Sequence, residues 1–224
     1  MTQKSPKVVR VLPLREQVLE NVVAAIHQGK FPPGHRLTEE AVAEYLGVSR
    51  TPVREALGIL AQRGMISRRN GGGFLMPSPG TKNIDDSFEL RRLLEPYAIR
   101  RVVGVITDEQ IAELRRLLKA LKAAVDKGEH ADSVQANMEF RRRLFSFVDN
   151  DAITRAIAQV TDHVQLVGTL TMSNPKVRKT VLACHERIYR KIAARDADGA
   201  QKAVLEYLEA ARLAAHDAVP ATKD

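Results

Sequence analysis

The stretch GVSRTPVREAL, Gly47–Leu57, places two guanidiniums at the start of a helix. Arg50 and Arg54 stand four residues apart, and so on one helical face, directly after Ser49. A helix N-terminus already carries positive partial charge and ordinarily favours Asp or Glu. Arginine fits there when the helix tip meets an anion, because dipole and side chains then attract the same group. The opposite face, Val53, Leu57 and Leu60, is apolar and suits packing. This is the layout of a helix whose N-terminal end enters the major groove of duplex DNA. The competing expectation for two such arginines is pairing with Glu on a solvated face. The surrounding pattern decides between the two.

Upstream, Leu14, Val18, Val22 and Ile26 recur every four residues, with Leu19 and Val23 widening the stripe, which predicts a helix from Pro13 to about Gln28. Thr38 reads as an N-cap for a short helix over Glu40–Leu46 with Ala41, Val42 and Leu46 inward. Gly47 ends it at a position where positive φ is easy. Ser49 is expected to cap the next helix, and Pro52 is tolerated in its first turn. Downstream, Met65-Ile66 and Phe74-Leu75-Met76 flank Asn70-Gly71-Gly72-Gly73, a strong hairpin signal. Three helices followed by a hairpin make a winged helix-turn-helix. Arg68 and Arg69 give the wing charge, and the glycines let its backbone approach a sugar-phosphate edge.

Charge distribution agrees. Residues 1–80 hold 11 Lys/Arg against 6 Asp/Glu, a net of +5, while residues 81–224 hold 24 against 21, a net of +3 over nearly twice the length. The basic excess therefore lies with the helix-turn-helix, as a polyanion partner requires. The single Cys184 excludes an intramolecular disulfide. No apolar run approaches the ~20 residues of a membrane span. The opening MTQKSPKVVRVLPL lacks the apolar core of a signal peptide, so a cytoplasmic protein is expected.

Pro77–Lys82, PSPGTK, has linker composition, dividing the chain into residues 1–76, a linker at 77–82 and residues 83–224. Beyond it only helical periodicity remains, in six segments at roughly 83–104, 107–127, 130–148, 150–173, 175–195 and 197–216. Connections this short favour antiparallel neighbours, hence a six-helix bundle. The fold class is mostly α.

RLTEEAVAEYLGVSRTPVREALGILAQRGMI followed by NGGGF resembles the signature of the GntR family of bacterial transcriptional regulators, over about residues 14–76. The resemblance implies that Arg50 and Arg54 read bases or phosphates, that Ser49 and Thr51 contact backbone, and that Gly71 approaches the minor groove. Some relatives carry arginine where this chain has Glu40. ELRRLLEPYAIRRVV and CHERIYRKIAARDADGAQKAVLEYL resemble the FadR-type (FCD) ligand-binding domain, and six helices rather than seven suggest its VanR-like subgroup.

That resemblance implies a divalent-metal set of one Asp and three His. Here Asn137, Arg141, His185 and Tyr207 occupy those places, and only His185 matches. An amide is a poor ligand and Arg has no lone pair to give, so no metal is expected. Arg141 can instead grip an effector carboxylate directly by a bidentate fork, with Asn137, His185 and Tyr207 adding contacts. Arg91 is a further candidate. Arg141, Arg142 and Arg143 splay around their helix, and Arg141 shares its face with Asn137, Leu144 and Phe145. Surface placement beside Glu139 or Asp132 is the alternative for Arg141, and plain packing is the alternative for His185 and Tyr207.

Catalysis is not expected. The six histidines, at 27, 35, 130, 163, 185 and 216, are scattered, and NGGGF lacks the Lys-Ser/Thr of a phosphate loop. The expected function is that of a homodimeric regulator, most simply a repressor, that leaves operator DNA when a small organic acid binds the helical domain.

Overall fold

The computed structural model describes residues 13–27, 29–77 and 80–219, without the side chains of 27, 81 and 162–166. The N-terminal stretch through residue 12 and linker residues 78–79 therefore lie outside it. Helix α1 covers Leu14–His27, α2 Glu39–Leu46 and α3 Arg50–Gln62; short strands β1 (Arg36–Leu37), β2 (Ser67–Arg68) and β3 (Phe74–Leu75) form a three-stranded antiparallel sheet in the order β1-β3-β2.

Local chemistry sets these boundaries. Thr38 caps α2 by accepting from the Ala41 N–H at 3.2 Å, and Gly47 closes it at φ 66°. Between them α2 buries Val42 and Ala43, while Ala41 faces solvent. The inward placement expected of Ala41 fails because position 43, not 41, shares a face with Val42 and Leu46. Ser49 stands at the N-cap of α3, but its hydroxyl makes no capping bond, contrary to the expected cap. The hairpin also differs from expectation in its first strand. Met65 and Ile66 turn into the core, so Ser67 and Arg68 are the residues paired with Leu75 and Phe74. Arg36 and Leu37 then cover the other edge of β3 as an additional strand.

Val18, Val22 and Ile26 of α1 meet Val53, Leu57 and Leu60 of α3, closed off by Leu37, Ile66, Phe74 and Met76. Leu14, expected in this stripe, is 52% exposed at the helix end.

The second unit contains α4 (Thr81–Val105), α5 (Asp108–Lys127), α6 (His130–Ser146), α7 (Asp151–Thr171), α8 (Pro175–Ala193) and α9 (Ala197–Ala218). All six expected segments are present. Helix α4 begins at Thr81, inside the stretch read as linker. Thr107 and Gln110 form a reciprocal capping box at the start of α5. Helices α4 and α9 lie antiparallel, joined by ion pairs of Asp85 with Arg212, Arg92 with Glu209, and Arg100 with Asp198, and by a hydrogen bond between His216 Nε2 and Asp85. The two units touch where α1 meets α7: a Cβ built at Gly29 would sit 3.5 Å from Thr169 Cγ2.

Leu57 is fully buried between α1 and the sheet. Leu57→Ala should therefore destabilise the N-terminal unit by about 2–5 kcal/mol, the usual range for emptying a packed Leu site. Denaturant unfolding monitored by circular dichroism measures this, and a change under about 1 kcal/mol contradicts the packing.

Candidate nucleic-acid interface and ligand pocket

Arg50, Arg54 and Gly58 follow one another at i, i+4 and i+8 on the outer face of α3. The wing arginine reaches the same face: Arg68 Nη2 lies 3.9 Å from the Cβ position of Gly58. Its guanidinium also sits 5.7 Å from the centroid of the Phe74 ring, which holds it over the sheet. Sequence distance hid this convergence. Ser49, Thr51 and Arg69 are exposed, and Ser49 has a hydroxyl not spent on capping. Gly71 adopts φ +94° in the wing turn, and nothing lies within 4 Å of a Cβ built on it.

The two α3 arginines do not stand alone. Arg50 pairs with Glu40, and Arg54 grips Glu39 with Nε 3.0 Å from each carboxylate oxygen and Nη2 at 2.9 Å. The alternative weighed for these arginines, pairing with Glu, is present, because the tight turn at Gly47 brings the acidic first turn of α2 beside the start of α3. The side chains of Arg50 and Arg54 nevertheless stay 57% and 68% exposed. Ion pairs this wet contribute about 0–1 kcal/mol. A good Arg–guanine contact is worth about 1–3 kcal/mol. Glu39 and Glu40 therefore orient the arginines without locking them.

In the helical unit the five expected effector residues gather around a residue that the sequence analysis did not single out. Glu95 is fully buried; its Oε1 accepts from Arg91 Nε at 2.7 Å and from Arg141 Nη2 at 2.8 Å. Arg91 and Arg141 are 4% and 6% exposed. Both guanidiniums expected to await an effector carboxylate thus already share an internal one. The i, i+4 spacing of Arg91 and Glu95 was a legible hint, but its burial was not. Arg142 and Arg143 splay outward to Glu139 and Glu113, leaving Arg141 as the inward member.

Burial opposes ionisation of Glu95, yet Arg141 and Arg91 outweigh it and hold the carboxyl below its usual range. Burial likewise works against the Arg141 charge, and Glu95 more than compensates. Aromatic rings cover the guanidinium faces: Phe88 lies 4.6 Å from Arg91, and Tyr207 lies 5.0 Å from Arg141.

His185 Nε2 lies 2.7 Å from Asn137 Oδ1. A carbonyl oxygen only accepts, so Nε2 carries the proton and Nδ1 is a bare lone pair, without a partner among the described residues. Burial first, then the charge of Arg141, lower the His185 pKa to about 3, so the ring is neutral. His185, expected to add a contact to an effector, does not line the cavity described below. The ring lies between Phe140 and Tyr207, at 4.9 and 4.8 Å, and positions Asn137 from behind.

Arg91, Arg141, Asn137 and Tyr207 line a cavity of about 50 Å³. Helix α7 supplies Thr161, Val167, Gly168 and Thr171 to its wall, and Met172 just beyond its end adds to it. No group of three or more His, Cys, Asp or Glu able to hold a metal ion occurs among the described residues.

The winged helix-turn-helix and the all-helical second unit define a class, that of DNA-binding transcriptional regulators. A model of the gntR family of bacterial regulatory proteins matches residues 14–76, and one of the FCD domain matches residues 86–210. The chain belongs to the GntR family of transcriptional regulators, with an FCD domain, and is not an enzyme. It is 26% identical over 202 residues to the uncharacterized HTH-type transcriptional regulator YdhC of Bacillus subtilis, covering 90% of each chain. It is 33% identical over 129 residues to the HTH-type transcriptional regulator McbR of Escherichia coli, covering 58% of each. The solved structure of E. coli McbR/YncC superposes with a TM-score of 0.85 at 25% identity, covering 92% of this chain and 99% of that one. GntR-family regulators bind operator DNA. No helix among the described residues is long and apolar enough to cross a membrane.

The neutral, buried His185 makes stability depend on pH. Its folded pKa lies below the ordinary 6.5, so the unfolded chain binds the extra proton between about 3 and 6.5, and stability falls as pH drops through that window. Replacing His185 with Gln should remove up to ~1.4 kcal/mol per pH unit from the slope of unfolding free energy between pH 6 and 4. Parallel slopes for variant and wild type contradict a neutral buried ring.

Proposed function

We propose that this chain is a cytoplasmic, homodimeric repressor that releases its operator when a small organic acid occupies the helical domain. The observation that carries this reading is a shared wall. Helix α7 lines the cavity beside Arg91 and Arg141 and also packs against α1 of the DNA-binding unit. A ligand that moves α7 therefore bears on the placement of α3. Coupling between such sites is typically about 1–3 kcal/mol, a 5- to 150-fold change in DNA affinity. Repression is supported by relatives whose names carry it, the HTH-type transcriptional repressor NanR of Klebsiella aerogenes among them, at 26% identity over 223 residues.

On this reading residues 1–76 bind DNA, 77–82 link, and 83–224 sense ligand and dimerise. Arg50, Arg54 and Arg68 supply groove and phosphate contacts; Ser49, Thr51, Arg69 and Gly71 add backbone contacts. Six helices, α4–α9, in the second unit support the VanR-like subgroup. Arg141 and Asn137 do not fit a divalent cation, since one is a fixed positive charge and the other presents its carbonyl oxygen to His185. The sensor therefore works without a metal.

Dimerisation is assigned to α4. Leu90, Leu93 and Tyr97 recur at i, i+3 and i+7 and are 42%, 69% and 51% exposed, an apolar stripe that a two-fold partner would cover. Leu93→Asp should convert a dimer to a monomer in sedimentation velocity at micromolar concentration. A wild-type chain that sediments as a monomer overturns the assignment.

The DNA reading is tested by fluorescence anisotropy on upstream DNA across a salt series. Arg50→Ala with Arg54→Ala should abolish specific binding, each change removing about 1–3 kcal/mol of discrimination, while circular dichroism stays unchanged. Wild-type affinity in the double variant defeats it. For release, an acid that binds by calorimetry should lower DNA affinity, and unchanged affinity with the acid bound refutes the mechanism.

A further inference from the structure

We propose that the ligand of the α4–α6–α7–α9 cavity is a small monocarboxylate with a compact apolar body, rather than a dicarboxylate or a sugar acid. The inference rests on the reading that the helical domain binds an organic acid, and it names the class.

Charge is the first argument. Among the described side chains, one buried carboxylate, Glu95, faces two buried guanidiniums, Arg91 and Arg141. The cluster carries one positive charge in excess. A single carboxylate neutralises it, and a second would leave buried negative charge without a partner. Glu95 is thus a positioning residue. Its Oε1 holds one edge of each arginine, while the rings of Phe88 and Tyr207 cover their faces. Ligand oxygens are left to meet the remaining N–H edges, with Asn137 alongside.

The second argument is the layout of the walls along the bundle. Helices α4 and α9 run antiparallel, so Arg91 lies level with Tyr207, and the turns beyond bring Phe88 toward Ala211, Ala214 and Ala215. Val177 and Val181 of α8 and Met172 close that end. It is apolar. On the α7 wall the described polar side chains are Thr161 and Thr171: Thr171 Oγ1 already donates to the Gly168 carbonyl at 2.9 Å, and Thr161 Oγ1 is left without a partner. One ligand hydroxyl can be met by Thr161. A polyhydroxylated acid would bury several hydroxyls unpaired, losing roughly tenfold or more in affinity for each.

Size is the third. A cavity of about 50 Å³ has room for about four water-sized groups on the same measure. That suits a carboxylate with a few carbons. Across a wall of Val177, Val181, Tyr207, Ala211 and Ala214 lies a second cavity of about 190 Å³ between α8 and α9. A larger apolar body would enter it by displacing those side chains.

The experiment is isothermal titration calorimetry on the full-length protein with propionate, butyrate, succinate, gluconate and propionamide. Propionate or butyrate should bind at least tenfold more tightly than succinate, gluconate or the neutral amide. Ala214→Leu, which fills the apolar end, should weaken the favoured acid at least tenfold while circular dichroism reports an intact fold. Arg91→Gln should do the same at the charged end. Tighter binding of succinate or gluconate, or equal binding of the amide, overturns the class while leaving an acid sensor standing. Heats absent for all four acids overturn both. Undiminished binding in Ala214→Leu shows that the ligand sits elsewhere and also overturns the inference.

Discussion

A carboxylate with no access to water, held between two arginines, is the constraint around which the helical unit is arranged. Glu95 lies on α4, Arg141 on α6, and the rings that cover the guanidiniums come from α4 and α9. Removing charges from water costs several kcal/mol per ion, so such a cluster persists only where geometry is good and opposite charge is adjacent. Here the cluster ties three helices to one point. It also leaves one unit of positive charge beside a cavity.

The same Arg–Glu chemistry does opposite work in the two units, and burial makes the difference. On α3, Arg50 and Arg54 hold Glu40 and Glu39 in solvent, where exchange for a phosphate or a guanine costs little. In the helical unit Arg91 and Arg141 hold Glu95 out of solvent, where exchange is prohibitive. The wet pairs are orienting contacts that a nucleic acid can replace. The dry cluster is fixed in place.

Helix α7 connects them. One side lines the cavity through Thr161, Gly168 and Thr171, and Thr169, one residue round the helix, approaches Gly29 at the end of α1. Helix α1 in turn packs directly on α3. A close-packed interior transmits a displacement of one element to its neighbours rather than absorbing it. The path from the cavity to α3 is therefore two helix contacts long.

Much of this was legible from residue order. Caps at Thr38 and Thr107, stops at Gly47 and Gly128, and aliphatic periodicity located the helices, because those signals act within a few residues of chain. The run SRTPVREAL and the substituted metal set pointed to an interface and to a pocket. Partners could not be read in the same way. Glu39 and Glu40 meet arginines 15 and 10 residues away, and Glu95 meets Arg141 across 46. Ala41 and Leu14 look like core residues by type, and their exposure depends on neighbours that are distant in sequence. The sequence by itself determined where the chain coils and which side chains carry charge. Only the tertiary structure decided which of those charges are wet and which are dry, because burial is a property of packing between distant segments.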